Sequence, residues 1–190
     1  KDFKRMLAYS TVGQIAYVGL GIGLANPLGI VGALLHIMAH AFMKSCLFLI
    51  AGGVYNKTGI STIDGYKGLG RKMPWTMGAF TIAALSMIGI PPTAGFFSKW
   101  YLLLGSFDAE NWVFVAVILA SSLLNAVYFF RIVEKVFAPS HENGAQPVSG
   151  GELNRRMLAP ILVFAFGVLV VGVLNVLIVN KILMPIVVGL

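Results

Sequence analysis

Gly89-Ile90-Pro91-Pro92-Thr93-Ala94-Gly95-Phe96-Phe97-Ser98-Lys99 interrupts an apolar stretch that runs from about Trp75 to Phe107. As one straight helix that stretch would be roughly 50 Å long, well beyond a bilayer core of roughly 30 Å. Two consecutive prolines remove two backbone donors and clash with the preceding turn, so a continuous helix is not expected. The stretch is then either two short helices that cross separately or one broken helix that crosses once. The charges of the flanking loops choose between them. Lys1, Lys4 and Arg5 stand at the first end of the chain, and the turn Ala25–Pro27 carries no charge. The loop after Asn56 holds Lys57, Lys67, Arg71 and Lys72 with Asp64, while the 108–111 turn holds Asp108 and Glu110 and no basic residue. Arg131, Lys135, Arg155 and Arg156 make the last loop basic again. If the broken stretch crosses once, every basic loop falls on one side, as the positive-inside rule asks of a cytoplasmic face. If it crosses twice, that pattern fails. One discontinuous crossing, broken at 89–95, is therefore expected.

Four further stretches can span: about Leu7–Leu24, Leu28–Val54, Trp112–Val136 and Met157–Leu183. The expected fold is all-α, a polytopic transmembrane helix bundle. Residues 1–137 hold four crossings, 138–154 a polar loop rich in Gly, Pro, Ser and Glu, and 155–190 one more spanning helix. Composition agrees. Of 190 residues 58% are hydrophobic and 11% charged, against roughly 25% charged in an average soluble domain. Mean hydropathy is +0.87. Lipid must be the main solvent of such a chain. The net charge of +7 would suggest nucleic acid in a soluble protein. Here the basic residues sit between apolar runs, and no nucleic-acid partner is expected. The single cysteine, Cys46, excludes an intrachain disulfide and a multi-cysteine metal site, and reads as a small packing residue. The chain opens on Lys1 without an initiator Met or a cleavable signal, and reads as beginning inside a longer protein.

A break in a spanning helix leaves backbone groups unpaired, so it must face protein or a water-filled cavity. Broken helices at mid-membrane are a recurrent device for ion sites. A proline kink filled by neighbouring helices is the plainer reading; the lysine that follows closely favours an ion site. His36, His40 and Lys44 are spaced i, i+4, i+8 and share one helix face within the second crossing. A charged group at that depth is costly and faces the bundle interior. Imidazole titrates near neutral pH and exchanges protons through two ring nitrogens, and a desolvated lysine sheds its proton readily. Two histidines leading to a lysine form steps of a proton wire. The alternatives are histidines bonded to backbone carbonyls and a lysine snorkelling to the interface, although Lys44 lies ten residues inside Val54. A zinc site from His36 and His40 alone lacks ligands. Lys99 has two readings from composition: a protonatable site beside the break, or an interfacial lysine in an aromatic belt with Trp100 and Tyr101. Lys4 and Arg5 stand at the mouth of the first crossing. Ser10, Thr11 and Gln14 continue from Tyr9 as a polar stripe that can bond neighbouring helices or line a water path. Arg131, Glu134 and Lys135 read as an interface cluster. No nucleotide loop, nucleophile triad or metal cluster stands out. No catalytic residue, metal or cofactor is expected, and redox chemistry would need other chains.

These residues resemble a family. Asp2-Phe3-Lys4-Arg5-Met6-Leu7-Ala8-Tyr9-Ser10-Thr11-Val12-Gly13-Gln14 is similar to the D-x-K-R-x-L-A-Y-S-S/T-x-x-Q signature of antiporter-like subunits. These occur in complex I (proton-pumping NADH–quinone oxidoreductase), multisubunit sodium/proton antiporters and membrane-bound hydrogenases. His36 to Lys44 resembles the family's H-x-x-x-H-A-x-x-K helix, and Pro92-Thr93-Ala94-Gly95-Phe96-Phe97-Ser98-Lys99 its broken-helix segment. The three motifs span Asp2 to Lys99 in family order, and the segment around Gly70–Leu104 is most similar to the D-type chain of the multisubunit antiporters. The resemblance implies two inverted five-helix repeats in a full subunit, of which this chain would hold most of the second and one further helix. It implies a central row of protonatable groups, with Lys44 and Lys99 as members and His36 and His40 linking them; Lys4 at the mouth and Ser98 in the polar lining are the further candidates for the path. Pro91, Pro92 and Gly95 would make the break. The N-terminal half of the subunit, other membrane subunits of the complex and the lipid bilayer are the implied partners, in a bacterial or archaeal plasma membrane. The translocated ion would be H⁺, with Na⁺/H⁺ exchange as the variant. The alternative function is a membrane subunit of a quinone or hydrogenase oxidoreductase that couples redox chemistry elsewhere to proton pumping.

Overall fold

The computed structural model describes residues 2–139 and 151–189, so Lys1, Leu190 and residues 140–150 of the expected polar loop lie outside the described residues. The elements are α1 (Phe3–Gly23), α2 (Pro27–Thr58), a 3-10 turn (Asp64–Tyr66), the one-turn α3 (Leu69–Lys72), α4 (Pro74–Ile88), α5 (Ala94–Asp108), α6 (Trp112–Phe137), α7 (Arg155–Val173), α8 (Asn175–Ile178), a π turn (Val179–Leu183) and α9 (Met184–Val188). Helix starts follow capping chemistry. The Asp2 carboxylate accepts from the Arg5 amide, the Asn26 side chain from Gly29, and Asn111 from Phe114. Each satisfies one of the orphan amides of a first turn. Pro27 and Pro74 sit at the first helical position, where the missing N–H costs nothing. Gly59 and Gly89 end α2 and α4 in the left-handed region.

α2 is the axle, 32 residues and about 48 Å long. α1, the α4–α5 pair and the last pass lie along it in alternating directions, while α6 packs on α4 and α5. Phe3 and Leu7 of α1 share a core cluster with Ile50 and Val54 near the end of α2, while Gly21 meets Gly29 and Ala33 near its start. α4 and α5, of 15 residues each, are about 22 Å long and too short to cross singly. α4 packs Met77, Phe80 and Ala83 with Met43, Leu47 and Ile50, in the second half of α2. Leu102 and Gly105 of α5 press on Gly32 and Gly29, in its first half. The two halves therefore make one discontinuous pass antiparallel to α2. α6 returns, bringing Phe137 against Gly70 at the basic end. The last pass runs from Leu153 beside Gly53, through Gly167 against Phe42, to Val179 and Val187 in the cluster with Val31 and Leu35. Lys4, Arg5, Lys57, Lys67, Arg71, Lys72, Lys135, Arg155 and Arg156 all lie toward one end of the bundle, and Asp108 and Glu110 at the other.

Two expectations need refinement. Among the described residues α2, α6 and α7 are the helices long and apolar enough to cross a membrane by themselves. α1 is not among them, because Tyr9, Ser10, Thr11 and Gln14 dilute its apolar character. The last pass, read as one helix, is segmented. Asn175 is buried and donates to the Gly172 carbonyl at 2.6 Å, a local bond that competes with the helical ladder. α7 ends one turn before the π turn that carries Lys181.

The start of α4 has a cap that sequence proximity does not suggest. Met73 supplies no side-chain acceptor. Glu152, from the far side of the 138–154 loop, accepts from the Trp75 amide at 2.8 Å and the Thr76 amide at 3.4 Å, and from the Thr76 hydroxyl. The Gly151 and Glu152 carbonyls accept from Lys57 at the end of α2. Glu152→Ala should cost about 0.5–2 kcal/mol, the usual worth of an N-cap, and lower the thermal midpoint of the detergent-solubilised protein. The Lys135–Asp64 pair, with side chains 46% and 78% exposed, should contribute under about 1 kcal/mol. Nearby, burial pushes the Tyr66 phenol up from its ordinary value and the Asp2 carboxylate adds to the shift.

A buried row of lysines and histidines at a broken helix

The break is built from arithmetic on the helical ladder. In a continuous helix the carbonyls of Met87 and Ile88 would accept from the amides four residues on, which are Pro91 and Pro92 and have none. Two acceptors at the C-terminal, partially negative end of α4 are thus left for another donor. Lys99, one turn into α5, supplies it. Its ammonium donates to Met87 O at 3.0 Å and Ile88 O at 2.9 Å. Only 5% of Lys99 is exposed, so it is an interior group and not a belt residue. Gly89, at φ 94°, turns the chain out of α4, and the Pro91–Pro92 peptide is cis. Gly95 lets the two halves meet: its amide donates to the Ser86 hydroxyl at 3.1 Å, and a Cβ there would sit 1.9 Å from Ser86 O. Gly95→Ala should therefore force the halves apart and destabilise the fold by about 1–3 kcal/mol or more, read as a lower thermal midpoint in detergent. Gly172 of α7 covers the break with equal closeness, 2.0 Å from its would-be Cβ to Pro92 O.

From Lys99 the polar groups continue through three helices. The Lys99 ammonium lies 5.1 Å from the Tyr17 ring of α1. That ring is 5.2 Å from the His36 ring, which is 6.5 Å from the nearly parallel His40 ring. His36 Nδ1 bonds the Ser98 hydroxyl at 2.9 Å, and Ser98 donates to Gly95 O at 3.0 Å. With the Ser98 hydroxyl so engaged, Nδ1 serves as the donor to it. One turn beyond His40, the Lys44 ammonium donates to Leu7 O at 2.7 Å and to the Ser10 hydroxyl. Leu7 O also accepts from Ser10 at 2.9 Å and Thr11 at 3.1 Å. His36 Nε2, His40 Nε2 and Gln14 Oε1 are buried with no hydrogen-bond partner among the described residues.

Each residue singled out from sequence has a place. His36, His40, Lys44, Lys99, Ser10, Gln14 and Ser98 come together along the row. Thr11 turns its hydroxyl onto its own helix. Lys4 stands apart, exposed at the basic end with its ammonium 4.6 Å from the Tyr55 ring centroid. Tyr17 was missed. Its signal was available, since Ser10, Gln14 and Tyr17 recur at i, i+4, i+7 on one face.

A bundle whose broken pass lends two carbonyls to a buried lysine, beside a helix of stacked histidines and a second lysine, defines an antiporter-like membrane subunit. The family model described as NADH:quinone oxidoreductase/Mrp antiporter, transmembrane, matches residues 1–125, and the chain belongs to that family. It is 50% identical to the N subunit of the NADH-quinone oxidoreductase of Desulforudis audaxviator over 96% of this chain and 38% of the relative. It is 40% identical to the D-type chain of the Na⁺/H⁺ antiporter of Alkalihalophilus pseudofirmus over 69% of this chain and 27% of the relative. The match to the oxidoreductase chain is thus higher and longer than the antiporter match expected from Gly70–Leu104. Among solved structures, respiratory complex I from Thermus thermophilus with bound NADH aligns with a TM-score of 0.84 and 30% identity, over 98% of this chain and 38% of that one. The chain spans well under half the length of these relatives.

Proposed function

We propose that this chain carries protons across the membrane along the Lys99–His36–His40–Lys44 row, as part of a subunit in a multisubunit membrane complex. The observation that carries the reading is the Lys99 ammonium held by the two carbonyls that Pro91 and Pro92 leave open, at one end of a row that reaches Lys44. A lysine so placed is stabilised as a cation only while it stays at the break; moved away, it is a desolvated amine that releases its proton. His36 and His40, with nearly parallel rings 6.5 Å apart, offer imidazoles for the transfer. Residues 1–137 then form part of the second repeat of the antiporter-like fold, 138–154 a polar loop, and 155–190 the additional helix. Lys4 serves the mouth of the pathway at the basic end, which faces the cytoplasm of a bacterial or archaeal plasma membrane. Other membrane subunits and an N-terminal half supply the rest of the path.

The 50% identity to an NADH-quinone oxidoreductase chain favours a complex in which redox chemistry on other subunits drives the protons, over one that exchanges Na⁺ for H⁺. A cation-exchange assembly would instead show proton movement that depends on external Na⁺. His36→Ala and His40→Ala should each slow pH-gradient formation in inverted vesicles while leaving the complex assembled. Unchanged rates in both would favour a structural scaffold.

A further inference from the structure

The row of lysines and histidines lies between α1, α2 and α5. A second polar face, on α6, takes no part in it. Ser121, Asn125 and Tyr128 recur at i, i+4, i+7 on a helix whose opposite side carries exposed Leu119, Leu123, Val127 and Phe130. Polar side chains on a spanning helix turn toward protein or water and leave the apolar faces to lipid. Here they face the polar stripe of α1, which runs in the opposite direction. Tyr17 OH bonds the Ser121 hydroxyl at 2.6 Å, and the Tyr128 hydroxyl meets Ser10. Between these two rungs lie Asn125, whose amide donates to Ser121 O at 2.9 Å, and Gln14, 1% exposed with its Oε1 unpartnered. At the basic end of α6 is an open groove of about 710 Å³, where Tyr128, Asp64, Lys67, Arg131, Glu134 and Lys135 share the wall with the apolar Ile63, Ile132 and Ala138.

We propose that the seam between α1 and α6 is an aqueous access path from the basic face to Lys44, with Tyr128 at its neck and the Tyr17–Ser121 hydrogen bond as its closed inner end. The seam has the parts such a path needs. It has a mouth wide enough for many waters with five charged side chains on its wall, hydroxyl and amide groups spaced along its length, and contact with one member of the row through Ser10, which accepts from the Lys44 ammonium. The tyrosine–serine bond at the inner end separates it from Lys99, so protons entering here reach Lys44 and not the break directly. The proposal rests on the reading of the row as a translocation path, and its test reads something else as well.

Cysteine accessibility separates the two. In a Cys46→Ala background, Asn125→Cys is treated with a charged, membrane-impermeant methanethiosulfonate reagent, in inverted and right-side-out vesicles carrying the assembled complex. Leu123→Cys, at a position 67% exposed on the apolar side of α6, is the lipid-facing control. Labelling of Asn125→Cys from the basic face only, with loss of pH-gradient formation on labelling and no labelling of the control, is the expected result. No labelling from either face, labelling from the opposite face only, or labelling with transport intact overturns the path. Should Asn125→Cys fail to assemble, Tyr128→Cys takes its place with the same outcomes. Normal transport by Lys44→Ala and Lys99→Ala variants would sink the translocation reading. Failed labelling with transport still lysine-dependent sinks the access path alone.

Discussion

Lys99→Ala should abolish pH-gradient formation in inverted vesicles while the complex still assembles, although less stably. Two separate losses combine in this variant. The row loses its member at the break, and Met87 O and Ile88 O lose the donor that replaced the missing amides of Pro91 and Pro92. Each buried carbonyl left unpaired costs about 1–3 kcal/mol, so the thermal midpoint falls along with transport. Lys99→Arg tells the two apart. A guanidinium supplies donors to the same carbonyls and restores stability, yet it does not give up its proton, and transport stays absent. Pro91→Ala makes the complementary change. It returns an amide that competes with Lys99 for Met87 O, and should slow the gradient without abolishing it. Dye quenching in vesicles, normalised to assembled complex, reads all three.

Lys44→Ala should remove transport as completely and do so with less damage to the fold. Leu7 O keeps the Ser10 and Thr11 hydroxyls as donors when the ammonium is gone. No acceptor is left bare, so the cost is chiefly the vacated volume, roughly 1–3 kcal/mol, and Lys44→Met removes most of it. The thermal midpoint of Lys44→Met should therefore lie near that of the unaltered protein while the pH gradient is lost. A Lys44→Met variant that transports normally would mean that the ammonium serves only to tie α2 to α1.

How much of this could be read beforehand depended on whether the cause was local. Pro91 and Pro92 act on the four residues before them, so the break was legible, and the same arithmetic names Met87 and Ile88 as the carbonyls left open. His36, His40 and Lys44 were legible because one helix face needs only a spacing. What they face was not, since Ser98 lies 62 positions from His36 and Leu7 lies 37 from Lys44. Tyr17 reads from sequence as a core or belt aromatic, and becomes the bridge between Lys99 and His36 only once α1, α2 and α5 are packed. Glu152 caps α4 from 77 positions away, which no local signature announces. The segmentation of the last pass was hidden because Asn175 is a single polar residue in an apolar run, and its effect comes from one bond to Gly172.

The central claim is that the buried lysines give up and regain protons. It is tested most directly by the charge state of the two amines. Nitrogen-15 NMR of lysine-labelled protein, with Lys44→Met and Lys99→Met variants to assign the two Nζ signals, follows that charge across the pH range in which the vesicles transport. At least one of the two ammonium groups should pass between charged and neutral forms within that range. Both amines remaining fully charged throughout, in protein that builds a normal gradient, would contradict the account.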